Sequence, residues 1–221
     1  MIISVDLLKK VAGAPVNQKV VEGLSKYLPA TMEEYEINTN LRIAHFLAQL
    51  AHESDHFRTL REYASGGEYE GRRDLGNVRK GDGVRYKGRG PIQLTGRANY
   101  EAYGKILGVD LINHPELAET PEIGVKIACE YWKQKNLNAW ADRDDIKTIT
   151  RRINGGYNGL ASREAMYNRA IRAITRKNAS PAPETEIKKE EPVIKADEVK
   201  HGNATRNETA SNTATDKTTT G

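Results

Sequence analysis

Two glutamates nine residues apart are the side chains of this sequence best suited to acid–base chemistry. Glu53 follows Phe46 and Leu50 at helical spacing, so it continues the apolar face of a helix. Partial burial there would favour the protonated carboxyl that a general acid needs. Glu62 requires a bend in the chain to approach Glu53, because an unbroken helix would hold the two about 13 Å apart on opposite faces. The alternative for each is a structural or solvent-exposed carboxylate.

A competing pattern overlaps the first glutamate. The segment His52-Glu53-Ser54-Asp55-His56 matches His-Glu-x-x-His, in which two histidines one helical turn apart bind zinc and the glutamate activates a metal-bound water. A zinc metallopeptidase is therefore the alternative from another reaction class, with Glu62, Glu68 or Glu70 as the third ligand. Only three positions of the pattern are fixed, so chance matches are common, and it leaves the glycine-rich segment that follows unexplained.

A glycine-rich segment follows, with eight glycines in residues 62–90. Glycine opens backbone conformations closed to other residues, and long loops inside a domain are often functional. We predict a folded loop, with room for a small β-hairpin. The polar run that ends the loop offers the hydrogen bonds that a sugar requires, from Arg89, Gln93, Thr95 and Asn99. Neither of the usual phosphate-binding glycine motifs is present.

Helices account for most of the remaining chain. Apolar periodicity and capping residues predict them over residues 4–12, 16–27, 40–53, 96–107, 121–132, 145–153 and 162–176. Pro29 is expected to end the second helix. The fold class is therefore mainly α, with a single catalytic domain over residues 1–177. Residues 178–221 are predicted to be a disordered, low-complexity tail because they contain no aromatic residue and no leucine.

Charge and composition limit the partners. Residues 178–221 carry six Lys or Arg and eight Asp or Glu, which leaves +6 on residues 1–177 of a chain whose net charge is +4. A basic body suits an anionic polymer such as a bacterial wall, and nucleic acid is not expected because its motifs are missing. No apolar run could span a membrane, and no signal peptide is recognised. The single cysteine, Cys129, excludes an internal disulfide and is expected to be a buried, inert thiol.

Five short motifs follow one another along the chain in an order that can be compared with known families. They are His52-Glu53-Ser, Glu62, Tyr86-x-Gly-Arg-Gly-Pro-Ile-Gln-Leu-Thr, Asn99 and Ile153-Asn-Gly-Gly. Together they resemble the family 19 glycoside hydrolases, which include plant-type chitinases and endolysins from phages of Gram-negative bacteria. The resemblance covers about residues 40–170. The run Tyr69-Glu-Gly-Arg-Arg-Asp-Leu-Gly-Asn77, with Gly81-Asp-Gly83, is similar to the phage and bacterial branch.

This resemblance implies a lysozyme-like α-helical fold and an inverting glycosidase with two carboxyl groups about 6.5–9.5 Å apart. Glu53 would be the general acid, and Glu62 the general base, with Glu68 and Glu70 as fallback bases. Thr95 would position the attacking water. The predicted substrate-binding residues are His52, Tyr86, Arg89, Gln93, Asn99, Asn154 and Arg163, the last of these linked to the catalytic carboxylates.

The function expected from these inferences is that of an endolysin. It would hydrolyse β-1,4 bonds in the glycan strands of peptidoglycan as a monomer, without a metal or organic cofactor. It would be made in the host cytoplasm and would act on the periplasmic wall after release, causing lysis. A chitinase is the alternative within the same chemistry. A catalytically inactive wall-binding module is disfavoured because both glutamates are present.

Overall fold

The structure, a computed structural model, describes residues 2–178. In this range the chain forms nine α-helices and no β-strand. The α-helices are α1 (Val5–Ala12), α2 (Gln18–Glu34), α3 (Asn40–Glu53), α4 (Asp82–Arg85), α5 (Arg97–Leu107), α6 (Pro121–Gln134), α7 (Leu137–Ala141), α8 (Ile146–Asn154) and α9 (Leu160–Asn178). Three 3₁₀ helices lie in the connections, at Gly67–Tyr69, Arg73–Leu75 and Pro115–Glu119. The predicted tail, from residue 179 onward, lies outside the described residues.

Helix α3 is the centre of the fold. The Thr39 side chain caps its first turn by accepting a hydrogen bond from the backbone N–H of Arg42. Every residue from 43 to 51 is buried, so neighbouring elements cover the helix on all sides. It packs most extensively against α9 and also against α1 and α7. Its Phe46 meets Trp132 of α6 edge to face, with ring centroids 5.1 Å apart. Glu53, its last residue, therefore follows directly on the most extensively packed helix of the core.

The mainly α, lysozyme-like fold expected from the sequence is confirmed. Cys129 is fully buried in α6, and burial raises the pKa of its thiol, which agrees with the expectation of an inert side chain. None of the described helices is both long enough and apolar enough to cross a membrane.

Helix α2 differs from the prediction because it continues through Pro29 to Glu34. A proline inside a helix removes one backbone hydrogen bond and clashes with the preceding turn. Here Leu28 and Met32, on either side of Pro29, are both buried in the hydrophobic core. Burial of this apolar face outweighs the local penalty, so tertiary packing extends the helix where the sequence predicts its end.

The glycine-rich segment contains no β-strand within the described residues, which corrects the predicted hairpin. Arg89 and Leu94 exchange two backbone hydrogen bonds, of 3.1 and 2.8 Å, and Arg89 also bridges to Arg61. Gly90 and Gln93 have φ of 76° and 56°, and they form the tight turn that connects Arg89 to Leu94. The pairing does not continue beyond these isolated bridges, and short helical turns occupy the rest of the segment in place of the hairpin.

Replacement of Pro29 by alanine should stabilise the protein. Alanine restores the missing backbone donor, so we expect the free energy of unfolding to rise by about 1–3 kcal/mol, after allowance for the greater freedom of the unfolded chain. Urea denaturation followed by circular dichroism measures the change. Pro121→Ala is the matched control, because Pro121 starts α6, where no intrahelical bond is lost. Equal or lower stability of Pro29→Ala would contradict the account of α2.

Candidate active site

The chain reverses direction immediately after Glu53. The Ser54 hydroxyl donates to the carbonyl of Leu50 at 2.6 Å and accepts from the N–H of Phe57 at 3.2 Å. Asp55, His56 and Phe57 then have φ of 49°, 59° and 58°, a left-handed conformation that is rare for residues other than glycine. The fully buried Phe57 ring anchors this turn. The bend that the sequence requires between the two glutamates is therefore present.

The same turn removes the geometry of a His-Glu-x-x-His zinc helix. Helix α3 ends before His56, whose Nδ1–H donates to the carbonyl of Ala12 at 2.8 Å. His52 is instead hydrogen-bonded through Nδ1 to the Ser162 hydroxyl at 3.1 Å. Over the described part of the chain, no group of three His, Cys, Asp or Glu side chains is placed to hold a metal ion. The alternative of a zinc peptidase is not supported by this arrangement.

Glu62 is held against the end of the glycine-rich loop. Its N–H donates to the carbonyl of Gly88 at 3.0 Å, and the N–H of Gly88 donates back to Glu62 Oε2 at 2.9 Å. The Tyr69 hydroxyl donates to Glu62 Oε1 at 2.8 Å. Burial, together with this bond to a carboxylate, raises the pKa of Tyr69 to about 12, so Tyr69 remains a donor. These contacts fix the orientation of the Glu62 carboxylate.

Glu53 is oriented by an arginine from the opposite helix. Arg163 of α9 donates from Nη2 to Glu53 Oε1 at 2.6 Å and from Nη1 to Gln49 Oε1. The side chain of Arg163 is 2% exposed and that of Glu53 is 20% exposed, so the ion pair closes off one side of the carboxylate while another side reaches solvent. A guanidinium can only donate hydrogen bonds, and both partners present oxygen to it.

Glu53 lines a cleft of about 250 Å³ between α3, α5, α6, α8 and the loop before α5. The structure brings five of the predicted residues together there: Glu53, Gln93, Thr95, Asn99 and Asn154. Six further residues complete the lining: Leu75, Ile92, Leu94, Tyr103, Tyr131 and Ile153. Sequence reasoning missed these six as site residues. Apolar and aromatic side chains at helical spacing predict a core equally well, so no sequence signal separates the wall of a cleft from the interior.

The polar residues on the loop side of the cleft are each fixed by a bond to the backbone. Gln93 Nε2 donates to the carbonyl of Gly90 at 3.0 Å, the Thr95 hydroxyl donates to that of Gln93 at 2.9 Å, and Asn99 Nδ2 donates to that of Thr95 at 2.7 Å. Each side-chain oxygen keeps capacity to accept a hydrogen bond. The cleft thus combines acceptors for hydroxyl and amide groups with apolar and tyrosine surfaces, as a sugar-binding site does.

Tyr131 is the cleft residue whose pKa is affected by Glu53. Burial, with a smaller contribution from the Glu53 carboxylate, raises the pKa of Tyr131 to about 12. Its hydroxyl donates to the carbonyl of Ile153 at 3.3 Å, a long contact that links α6 to α8. Tyr131 therefore stays neutral and presents an amphipathic surface beside Glu53.

Two predicted substrate-binding residues hold the loop instead of lining the cleft. Tyr86 is 1% exposed, and its hydroxyl donates to the carbonyl of Ile112 at 3.1 Å. Arg89 is 7% exposed and donates to Glu119 Oε1 at 2.7 Å and to the carbonyl of Arg85 at 2.8 Å. The prediction that they bind substrate does not agree with this burial. Polar side chains in a glycine-rich run serve here to satisfy the backbone of a tightly folded loop.

His52 is also packed behind the cleft residues. A Cβ on Gly159, which has a φ of 74°, would lie 2.3 Å from His52 Cε1, so only glycine fits there. Burial, and next the charge of Arg163, lower the pKa of His52 to about 4. The imidazole is therefore neutral near pH 7, and its predicted contact with substrate is replaced by packing against the start of α9.

Comparison with known proteins identifies the fold and the family. A model of the glycoside hydrolase family 19, described as chitinase class I, matches residues 26–148. A glycosyl hydrolase family 19 domain-containing protein of Haemophilus influenzae is 33% identical over 178 residues, which cover 66% of this chain and 87% of that protein. An endochitinase of Arabidopsis thaliana is 39% identical over 116 residues, covering 52% of this chain but only 39% of the plant protein.

Solved structures agree at the level of the fold. Chitinase C of Streptomyces griseus has a TM-score of 0.64 with this chain at 22% sequence identity, covering 79% of this chain and 77% of that one. A class IV chitinase of Zea mays has a TM-score of 0.58 at 21% identity, covering 82% and 96%. With more than half of its sequence matched by the family model, this chain belongs to glycoside hydrolase family 19 as a chitinase-like enzyme.

Proposed function

We propose that this enzyme is an endolysin that hydrolyses the β-1,4 glycosidic bonds of bacterial peptidoglycan by an inverting, lysozyme-type reaction. The choice of peptidoglycan as substrate rests on one observation, namely that Leu75 forms part of the cleft wall. This residue ends a 3₁₀ helix inside Tyr69–Asn77, the run that is similar to the phage and bacterial branch of the family.

Polar contacts inside this loop are extensive. Asn77 is fully buried; its Nδ2 donates to the carbonyl of Tyr69 at 2.9 Å, and its Oδ1 accepts from the N–H of Arg97 at 2.8 Å. Asp82 Oδ2 accepts from the N–H groups of Val78 and Arg79 at 3.1 and 2.9 Å. The branch-like residues therefore shape one wall of the cleft, where differences between glycans would be distinguished.

Hydrogen bonds within this loop also show which glutamate is available as the general base. Both oxygens of Glu70 accept backbone hydrogen bonds, from Gly81 at 2.6 Å and Gly83 at 2.9 Å. Glu70 is thus committed to the loop, and Glu68 is exposed on the loop surface. Glu62 is the carboxylate held beside Gly88, which also adjoins the cleft residue Gln93. We therefore assign the base to Glu62.

In the proposed reaction, Glu53 donates a proton to the glycosidic oxygen while the C1–O bond breaks and the leaving sugar departs as an alcohol. Water attacks C1 from the opposite face, and Glu62 accepts one proton from that water, so the anomeric configuration inverts. Thr95 is suited to hold the water, because its hydroxyl already donates to Gln93 and its oxygen can accept from water. Proton exchange with solvent then restores both glutamates.

The positive net charge of residues 1–177 favours an anionic wall polymer as the substrate. Residues 1–177 carry +6, and peptidoglycan carries carboxylates on its peptide stems, so long-range attraction would concentrate the enzyme on the wall. We infer synthesis in the cytoplasm of a phage's host and action at the periplasmic wall, the setting implied by that branch of the family.

A chitinase is the second candidate, favoured by the names of several relatives. The plant endochitinase and the Streptomyces griseus enzyme are both described as chitinases. Chitin shares the β-1,4 linkage and the N-acetyl groups of peptidoglycan, so the catalytic residues would act in the same way. The two functions differ in the glycan that the cleft accepts.

Replacement of Glu53 by glutamine should remove activity and leave the fold intact. Glutamine still accepts the hydrogen bond of Arg163 but has no proton to donate, so we expect kcat to fall by about 10²–10⁴-fold. The rate at which a suspension of outer-membrane-stripped Gram-negative cells clears measures this activity. The control is Glu101→Gln, an exposed glutamate of α5 paired with Lys105, which should retain full activity. Near-normal lysis by Glu53→Gln would refute the assignment. A chelator-induced loss restored by zinc would favour a peptidase.

Mass spectrometry of digested peptidoglycan should reveal new reducing-end sugars. Hydrolysis of a glycosidic bond generates one reducing end for each cut, whereas an amidase or peptidase would release free amines from intact glycan strands. The terminal sugar distinguishes a muramidase from a glucosaminidase. Parallel digestion of chitin oligosaccharides tests the second candidate. Efficient cleavage of chitin with intact peptidoglycan would overturn the proposed substrate.

A side chain at Gly88 should disturb the proposed base. A Cβ there would lie 2.6 Å from Gln93 Oε1 and 3.1 Å from Glu62 Oε2, so both groups would have to move. We expect Gly88→Ala to lower kcat/KM about 10–100-fold, because small displacements of reacting groups are costly. Gly67→Ala is the control in the same loop, since its nearest contact is the movable Ser65 hydroxyl at 3.3 Å. Equal activities would argue against catalysis by Glu62.

A further inference from the structure

A row of polar side chains runs through the buried interface between α3 and α9. His45, Gln49 and Glu53 follow one another at intervals of one helical turn on α3, so they share a face. His45 stacks on Tyr167 of α9 with ring centroids 4.2 Å apart, whereas Gln49 and Glu53 both bond to Arg163, one turn earlier on α9. The row runs from the fully buried His45 to the Glu53 carboxyl group in the cleft.

Four buried side-chain atoms at this interface and on the adjoining α8 have no hydrogen-bond partner among the described residues. They are His45 Nδ1, Gln49 Nε2, Thr150 Oγ1 and Arg163 Nε. All four residues are at most 1% exposed. Leaving a buried polar atom unsatisfied is unfavourable, and native interiors rarely do so. Four such atoms lie on three helices, of which α9 packs against both α3 and α8, so they call for a common explanation.

The chemistry of the neighbours decides which of these atoms donate. Arg163 can only donate, so Gln49 must present its oxygen to Arg163, which leaves Gln49 Nε2 and Arg163 Nε as donors. His45 Nε2 lies 2.8 Å from the carboxylate of Asp144 and therefore carries the proton. In the neutral imidazole, His45 Nδ1 is then an acceptor. Thr150 Oγ1 is able to accept as well.

The protonation state of His45 agrees with this assignment. Burial lowers the pKa of His45, and the bond to Asp144 and the charge of Asp145 act in the opposite direction. Burial is the largest of these influences, so the neutral imidazole is favoured. Asp144, Asp145 and Tyr167 are the titratable groups that face it from other elements.

Two donors and two acceptors are the complement of a single water molecule, which accepts two hydrogen bonds and donates two. We propose that a buried water links His45, Gln49, Thr150 and Arg163, and that His45 is thereby a positioning residue that holds the Arg163 guanidinium against Glu53. The proposal rests on the proposed role of Glu53 as the general acid. The hydrogen-bonded chain would extend the site from the cleft to Asp144, whose side chain is 54% exposed.

The water would act by fixing the plane of the guanidinium. Arg163 contacts Glu53 through Nη2 and Gln49 through Nη1. With Nε unbonded, the guanidinium plane can still tilt. A third bond at Nε removes this freedom, and the Glu53 carboxyl then keeps one orientation toward the cleft. The hydrogen bond and ring contact of His45 reach Asp144 and Tyr167, neither of which lines the cleft, so its loss should change kcat and leave substrate affinity unaltered.

Paired variants of His45 separate this role from simple packing. His45→Phe keeps a ring against Tyr167 but removes both nitrogens, and we expect kcat to fall about ten-fold with KM changed less than about two-fold. His45→Asn places a polar atom near the position of Nδ1 and should retain kcat within about three-fold. Wild-type kcat in His45→Phe, or an equal loss in both variants, would overturn the positioning role.

Thr150→Val tests the other acceptor with almost no change in volume. We expect a kcat several-fold below that of Thr31→Val, the control, which removes a hydroxyl from a buried threonine of α2 that bonds only to the carbonyl of Tyr27. Equal kcat in these two variants would count against the proposal. Thermal unfolding of all four proteins confirms that each is folded at the assay temperature.

A crystal structure at high resolution tests the water directly and independently of any activity. The expected result is one ordered water within hydrogen-bonding distance of His45 Nδ1, Gln49 Nε2, Thr150 Oγ1 and Arg163 Nε, lost or displaced in Thr150→Val. A dry interface, or a direct bond between His45 and Gln49, would overturn the proposal. Full activity of Glu53→Gln would instead refute the proposed function, while the crystallographic result would still stand.

Discussion

The buried guanidinium of Arg163 is the constraint on which the site depends. A charged group that is almost completely withdrawn from water must be paired and hydrogen-bonded, or the fold would lose stability. Its partners, Glu53 and Gln49, both lie on α3, so the same contacts that satisfy the charge also join the two most extensively packed helices. The carboxyl group that faces the cleft is consequently held by the core of the protein instead of by a loop.

The second constraint is the left-handed turn that follows Glu53. Three consecutive non-glycine residues, 55–57, adopt positive φ, and the buried Phe57 ring compensates for the strain. The turn directs the chain back along the far end of the glycine-rich loop, where Glu62 and Gly88 bond to each other twice. Two carboxylates close in sequence are thereby held by different elements, Glu53 at the end of α3 and Glu62 against the glycine-rich loop.

The loop between them is ordered by its own polar groups. Glu70, Asn77 and Asp82 satisfy backbone donors and acceptors that would otherwise need water or a sheet. Arg89 and Tyr86, which the sequence suggests as substrate contacts, serve the same purpose from inside. A rigid wall built this way keeps the acceptors of Gln93 and Thr95 in place before a substrate arrives, as preorganised sites require.

Sequence alone determined the mainly α class, the buried thiol of Cys129 and four residues of the cleft, because periodicity, burial tendency and a dense polar motif are local properties of the chain. Asn154, the fifth predicted residue of the cleft, came from the resemblance to the family. It could not give the passage of α2 through Pro29 or the burial of Arg89, since both depend on surfaces supplied by distant segments. The tyrosines of the cleft were indistinguishable from core residues for the same reason. The resemblance to the family linked Arg163 to the catalytic carboxylates, but only the tertiary structure shows that its Nη2 bonds Glu53 across 110 residues, because a buried charge selects its partner in space and leaves no periodic trace in sequence.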